Sequence, residues 1–327
     1  MSSQQNARLA LLVYPNFLGS KQSLVCLFWF IMQRLLCFAF VVVITISMVS
    51  ANSEIVHLER SVYRDVYVYD SGSQLCIGFI NRNDQSCVFA DASDYLVWEY
   101  YRASIAGLVL AEKVERVLMI GLGGGVLATA IRTVFPEVEV EVVELDPAML
   151  KVAKEYFNFE ESARVNVQIA DGRVAVKRAL LEGKKFDAVI LDAFGIDYTP
   201  EHMLTEEFLR EVRNIMHSDG VFIAHAKAEN RLRDAMFNTY EKVFGQFYYL
   251  DTSGCCRLIF ASTNGLMAKD EINRRALAAL VQMQRLHISV EDILDGLKQR
   301  VDWDQQARIL TDGHAPGNIL NVKPRLP

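Results

Sequence analysis

From Glu54 to Ala90 apolar and polar positions alternate with a period of two, through Val66 and Val68 and then Leu75, Ile77 and Phe79. Turn residues punctuate the stretch at Asp70-Ser71-Gly72-Ser73 and at Asn81–Asp84. Side chains of a strand point alternately to its two faces, so this pattern predicts a small antiparallel sheet with one face buried. The pattern then changes. Short apolar runs at Val117–Ile120 and ending at Glu144, and strand signals at Val165–Ile169, Phe186–Leu191, Gly220–Ala226, Phe247–Leu250 and Arg257–Ala261, predict strands. Helical periodicity between them covers Asp94–Glu112, Pro147–Phe157, Arg173–Leu181, Thr205–Met216 and Asn230–Phe244, with Thr205 before two glutamates as a helix start. Strand–helix alternation predicts a mostly parallel sheet covered on both faces. Two amphipathic helices, Lys269–Leu286 and Val290–Arg300, and a polar tail follow.

The N-terminal pattern is different again. Leu24–Met32 is apolar, Gln33 and Arg34 interrupt it, and Leu35–Val49 is apolar once more. Taken as one segment it is long enough to span a bilayer, with Arg34 inside. Taken from Met32, it has a short basic start, an apolar stretch and a small-residue cleavage site at Val49-Ser50-Ala51, the build of a signal peptide. The second reading makes Met32 the expected start, and Arg34 on the N-terminal side predicts delivery of the rest across the membrane. The alternative is a buried apolar helix of a cytoplasmic protein. The expected organisation is a leader over 1–51 (signal peptide or anchor), a small β-domain over 52–92, a nucleoside-binding α/β domain over 93–265 and C-terminal helices and tail over 266–327.

Composition narrows this picture. With 327 residues, 51% of them hydrophobic, the chain can bury one large core with appendages. The formal net charge is −6, and Lys and Arg are scattered rather than gathered in a stripe, which argues against a nucleic-acid partner. Cys76, Cys87, Cys255 and Cys256 follow the leader. In an exported protein they could pair in three ways, and none has metal-ligand spacing, so no metal site is expected.

The chemistry centres on VLMIGLGGGVLATAIRTVFPEVEVEVVELD, residues 117–146. A strand breaks into a turn with Gly121, Gly123, Gly124 and Gly125, a helix follows, and a second strand ends in Glu144 about 20 residues on, the spacing of a nucleotide-binding βαβ unit. Glycines let backbone approach a ligand, and the acid accepts hydrogen bonds from a ribose diol. Two more acids, Asp171 (before Gly172) and Asp192, fall at the next strand ends, where ligands of such sheets bind. Each alone would suit a helix cap. Three around one glycine turn point to a shared site.

GLGGGVL (121–127), VELDP (143–147), ADGR (170–173), LDAF (191–194) and LTDGHAP (310–316), together with the small sheet placed before the α/β domain, resemble the polyamine aminopropyltransferases, the spermidine synthase family. The resemblance runs from about Glu54 to the C-terminus. It implies a Rossmann-like fold of the S-adenosylmethionine-dependent methyltransferase type, and a homodimer as in many members. By the resemblance, Glu144 holds the ribose of decarboxylated S-adenosylmethionine or methylthioadenosine. Asp171 with Gly172 contacts the adenine, and Asp192 is the acid nearest the reacting amine.

The chain departs from the family pattern at three places. Gly123 stands where the glycine turn usually carries Asp. Gly195 stands where a second acid follows Asp192, with Asp197 as a differently spaced substitute. Arg64, in Ser61-Val62-Tyr63-Arg64, stands where Gln is expected. Two carboxylates are lost and one positive charge is gained, which disfavours a dication. Four functions therefore stay open: aminopropyl transfer to a small amine, transfer of a methyl or other group from S-adenosylmethionine, an inactive exported nucleoside-binding module, and nicotinamide chemistry. The last is disfavoured because the glycine spacing is not G-x-G-x-x-G and because Asp171 and Asp192 suit the sulfonium nucleoside. His202, His225 and His314 are single histidines for which a structural role is the ordinary reading. Asp312 and His314 gain from lying in LTDGHAP, and Tyr100 and Tyr101 are placed to line the site or to pack in the core.

Overall fold

The computed structural model describes residues 54–79, 83–91, 95–194, 199–227, 232–252 and 256–314. The expected leader, Gly195, Asp197 and Cys255 lie outside the described residues. No helix among the described residues is long and apolar enough to cross a membrane.

The period-two stretch forms a four-stranded antiparallel meander, β1 (Glu54–Glu59), β2 (Val66–Asp70), β3 (Gln74–Phe79) and β4 (Asn83–Phe89), hydrogen-bonded in chain order. Cys76 and Cys87 face each other in the β3–β4 register and are joined by a disulfide. Val66, Val68, Ile77 and Phe79 form one buried face.

That face packs on the helix Pro147–Tyr156 of the larger layer. The larger layer runs α1 (Glu99–Gly107), β5 (Arg116–Ile120), α2 (Val126–Val134), β6 (Glu139–Glu144), α3 (Pro147–Tyr156), β7 (Val165–Ile169), α4 (Gly172–Leu181), β8 (Phe186–Leu191), α5 (Glu206–Asn214), β9 (Met216–Lys227), α6 (Arg233–Phe244), β10 (Tyr248–Asp251), β11 (Cys256–Ser262), α7 (Lys269–Gln284) and α8 (Val290–Asp295). Ala148, Met149 and Val152 of α3 close a shared core with the meander. The small sheet is thus fixed to the helix that begins beside Glu144.

The seven-stranded sheet has the order β10-β11-β9-β8-β5-β6-β7. The five strands β9, β8, β5, β6 and β7 are parallel, while β11 runs antiparallel to β9 and β10 antiparallel to β11. Every residue of β8 is buried, as expected of a central strand covered on both faces. One face packs against α1, α2 and α7, the other against α4, α5 and α6. The chain leaves β5 for β6 and β7 on one side and returns to β8 and β9 on the other. The crevice at the carboxyl ends of β5 and β8 is therefore the topological switch point.

Two predicted helices are clearly shorter than expected. The one expected over Asp94–Glu112 is Glu99–Gly107, continued by a 3-10 turn over Leu108–Leu110. The helix expected over Val290–Arg300 stops at Asp295. Past it, Lys298 exchanges backbone hydrogen bonds with Tyr249 on β10, at 2.8 and 2.9 Å, and this tertiary pairing replaces the last helical turn.

Candidate active site

The site starts at the glycine turn. Gly121, at φ +106°, donates its N–H to Val143 O at 2.8 Å, and a Cβ there would lie 2.2 Å from the Asp192 carbonyl oxygen. Only glycine lets the ends of β5 and β8 come so close. Gly125, at φ +74°, is the N-cap of α2 and lies against the Phe159 ring, which a Cβ would meet at 2.3 Å. Gly123 lines the cavity at the switch point. Gly124 and Gly125 do not, and they serve the turn and its packing instead.

The cavity has a volume of about 520 Å³ and collects the strand ends in sequence: Ile120 and Gly121 after β5, Glu144 after β6, Asp171 and Gly172 after β7, Asp192 after β8, and His225 near the end of β9. The small sheet and its β1–β2 turn add Tyr63, Arg64, Phe79 and Gln85. All the sequence-predicted site residues except Gly124 and Gly125 therefore meet around one space.

Glu144 is buried, with Oε2 accepting from Leu122 N at 3.0 Å and Oε1 from Asp146 N at 2.8 Å. Burial pushes its carboxyl above the usual range, and those backbone donors oppose the rise. Each oxygen keeps a second lone pair, so the two bonds orient the carboxylate while leaving it able to accept from a diol. Asp171 is divided between two tasks. Its Oδ1 caps α4 by accepting from Arg173 N and Val174 N, both at 3.0 Å, and its Oδ2 faces His202 Nε2 at 2.8 Å. Behind Gly172, a Cβ would meet Ile120 at 2.5 Å, so the backbone at this strand end also needs a glycine to pack.

Asp192 sits in a polar cluster that spacing alone did not reveal. Its Oδ1 lies 2.9 Å from His225 Nδ1, and its Oδ2 accepts from Tyr100 Oη at 3.3 Å. The Tyr100 ring stacks on the His225 imidazole with centroids 4.2 Å apart. Burial, reinforced by the Asp192 charge, pushes the Tyr100 phenol well above its ordinary value, which keeps it a proton donor to the carboxylate. A carboxylate only accepts, so His225 carries a hydrogen on Nδ1. Its Nε2 is buried and has no hydrogen-bond partner. Tyr101 plays a supporting part, bonding Ser86 Oγ at 2.7 Å behind the glycine turn.

Asp146 is a site residue that sequence reasoning passed over. It lines the cavity, caps α3 through Ala148 N at 2.9 Å and accepts from Ser61 Oγ at 2.7 Å, both at Oδ1, while its Oδ2 is buried without a partner. The Pro147 that follows explains the acid as a cap, which hid its second face. Asp312 lies elsewhere, bonded to both terminal nitrogens of Arg173 at 2.6 and 2.8 Å, and neither it nor His314 lines the cavity.

A diol acceptor at Glu144, a glycine cradle at the switch point and an acid beside an imidazole with an unpartnered nitrogen together fit a nucleoside with a reacting group turned toward Asp192. The family model for the spermine/spermidine synthase domain matches residues 99–262. A polyamine aminopropyltransferase of Vibrio vulnificus is 35% identical over 275 residues, which cover 82% of this chain and 92% of that one. An eEF1A lysine and N-terminal methyltransferase of Xenopus laevis is 36% identical over 169 residues, 47% of this chain but only 24% of that protein. Among solved structures, a probable spermidine synthase from Corynebacterium glutamicum superposes with a TM-score of 0.58 at 18% identity, covering 78% of this chain and 99% of that chain. Since the match to the aminopropyltransferase spans both the small sheet and the α/β layer, and the site's acids fall within it, the chain belongs to the spermine/spermidine synthase family of transferases.

Proposed function

We propose that this chain transfers an aminopropyl group from decarboxylated S-adenosylmethionine to a small amine. The observation that carries the reading is the Asp192–His225 pair beside the nucleoside cradle, with Nε2 buried and unpartnered. An amine is protonated at neutral pH and cannot attack until it gives up that proton. His225 Nε2 accepts it, and Asp192 stabilises the resulting imidazolium through Nδ1–H. The nitrogen lone pair then attacks the methylene carbon beside the sulfonium. A C–N bond forms as the C–S bond breaks, the electron pair goes to sulfur, and methylthioadenosine leaves as a neutral thioether. The cavity's charge supports a cationic ligand: six carboxylates line it (Asp84, Glu99, Glu144, Asp146, Asp171 and Asp192) against two guanidiniums (Arg64 and Arg102). Glu144 holds the ribose, and Asp171 with Gly172 faces the base.

The second reading is methyl transfer from S-adenosylmethionine. It is favoured by Gly123, where the family's acid is missing, and it needs the same nucleoside contacts and the same proton acceptor. Export across the membrane is part of the proposal. The Cys76–Cys87 disulfide supports it, because such bonds persist in oxidising compartments.

The test is release of methylthioadenosine by the purified full chain from decarboxylated S-adenosylmethionine and putrescine. Diamine-dependent release that falls at least about 100-fold in Asp192→Asn and His225→Gln, with methylthioadenosine affinity retained, is the expected result. Release only from S-adenosylmethionine would replace this reading with the methyl-transfer one. Nucleoside binding with no transfer to any amine would reduce the protein to a binding module.

A further inference from the structure

The two guanidiniums of the cavity are not equivalent. Arg102 is committed, since its Nη1 donates to Leu96 O on its own side of the wall. Arg64 is not. Its Nη1 is buried without a hydrogen-bond partner, and no carboxylate among the described residues forms an ion pair with it. This is the reverse of what an acid-rich cavity should produce, because an arginine placed among six carboxylates would ordinarily be neutralised by one of them. Its position is nonetheless built. The guanidinium lies over the Phe79 ring, 4.6 Å from the centroid, which fixes its plane. The turn that carries it is tied down by Ser61, whose Oγ donates to Asp146 Oδ1 at 2.7 Å and accepts from Tyr63 N at 3.2 Å. Arg64 is thus mounted on the same frame as the acids of the nucleoside end, with a donor turned toward nothing the protein supplies.

A guanidinium stays charged at every accessible pH and offers parallel donors that match a carboxylate. We infer that Arg64 is the carboxylate-binding residue of this cavity, so that one of the two substrates carries a carboxylate. The inference rests on the reading that a sulfonium nucleoside occupies the cavity, and it specifies the substrate class of that site. The carboxylate has two chemical sources. It belongs either to an acceptor that is an amino acid rather than a diamine, which keeps aminopropyl transfer, or to the amino-acid end of an S-adenosylmethionine donor, which is the methyl-transfer reading. In both cases the ligand is a cation at the reacting end and an anion at Arg64, which matches the uneven charge of the lining.

Titration calorimetry on the full chain tests this with defined probes: methylthioadenosine, S-adenosylhomocysteine, decarboxylated S-adenosylhomocysteine, putrescine and 4-aminobutyrate. If the donor carries the carboxylate, S-adenosylhomocysteine binds at least tenfold more tightly than its decarboxylated form. Arg64→Met then removes the difference while leaving methylthioadenosine affinity within twofold, which also shows that the variant is folded. If the acceptor carries it, 4-aminobutyrate binds the methylthioadenosine-saturated protein at least tenfold more tightly than putrescine, and Arg64→Met abolishes that preference. No preference for the carboxylated member of either pair, or a preference that survives in Arg64→Met, overturns the inference and leaves the nucleoside reading standing. Failure of methylthioadenosine to bind the wild-type chain overturns both, and is told apart because that probe has no carboxylate.

Discussion

Gly121 and Gly123 sit two residues apart in one turn and answer differently to a side chain. At Gly121 a Cβ would press on the Asp192 carbonyl, a backbone atom held by the Asp192 N–H to Ile120 O bond at 2.9 Å. Gly121→Ala must therefore part the ends of β5 and β8, and we expect it to lose methylthioadenosine binding altogether while circular dichroism still reports the fold. At Gly123 a Cβ would meet Ser86 at an ordinary 3.4 Å and the Gln85 carbonyl oxygen at 3.9 Å, with φ +56° in the left-handed region that Asp tolerates better than most residues. Gly123→Asp restores the acid found at this point of the turn in the family, and should improve affinity for decarboxylated S-adenosylhomocysteine, with its terminal ammonium, by roughly tenfold, about 1.4 kcal/mol. Calorimetry checks both, and a Gly123→Asp variant with unchanged affinity would show that the donor's amine does not reach this side of the cavity. These glycines and Glu144 were legible in the sequence because each answers a backbone or strand-end requirement that leaves a fixed spacing. The role of His225 was not, because its meaning depends on Asp192, 33 residues away, and on the Tyr100 ring stacked above it.

Strand β8 begins and ends where its apolar run does, since a parallel strand buried on both faces is hydrophobic almost throughout and little else in the chain looks like it. The C-terminal elements read less well, because their limits are set by partners distant in sequence. Arg257 on β11 shows how. It is 4% exposed, stacks over Tyr249 at 3.8 Å, donates from Nε to Asp251 at 2.6 Å and grips Asp302 with both terminal nitrogens at 2.7 and 2.8 Å. The stretch after α8 is thereby held to β10 and β11. The hydrogen bonds from Arg257 hold the Asp302 carboxyl at about 2, below its ordinary 3.8. A carboxyl depressed in the folded state contributes stability that is complete above the unfolded value and is lost as pH falls through the folded one. Thermal melts should therefore show a loss between about pH 4 and pH 2 that Asp302→Asn makes shallower. At neutral pH that variant should cost less than the roughly 3–5 kcal/mol of a fully orphaned buried charge, because Asp251 still binds the guanidinium. An acid limb identical in wild type and variant would place the pH sensitivity elsewhere.

At the scale of the whole molecule, the question is whether the small sheet and the α/β layer act as one body when a ligand is present. Their packing says they do. The meander's buried face shares a core with α3, and the N-cap of α3 is Asp146, whose carboxylate lines the cavity and bonds Ser61 on the β1–β2 turn. A nucleoside lying between Glu144 and that turn touches both parts, so either part can unfold only after the ligand leaves. Binding to the folded state alone stabilises it by about 2.7 kcal/mol at a ligand concentration of 100 Kd. For a chain of this size that corresponds to a rise in Tm of roughly 4–5 °C. Scanning calorimetry with methylthioadenosine should therefore show one transition that moves upward as a whole. A separate lower transition that ignores the ligand would mean that the small sheet melts independently and that the nucleoside is held by the strand ends alone. In that case Arg64, which rides on the small sheet, could add nothing to the affinity of a carboxylated ligand above that lower transition. The calorimetric trace thus asks the same thing of the whole chain that Arg64→Met asks of one side chain: whether the wall carrying the guanidinium belongs to the site.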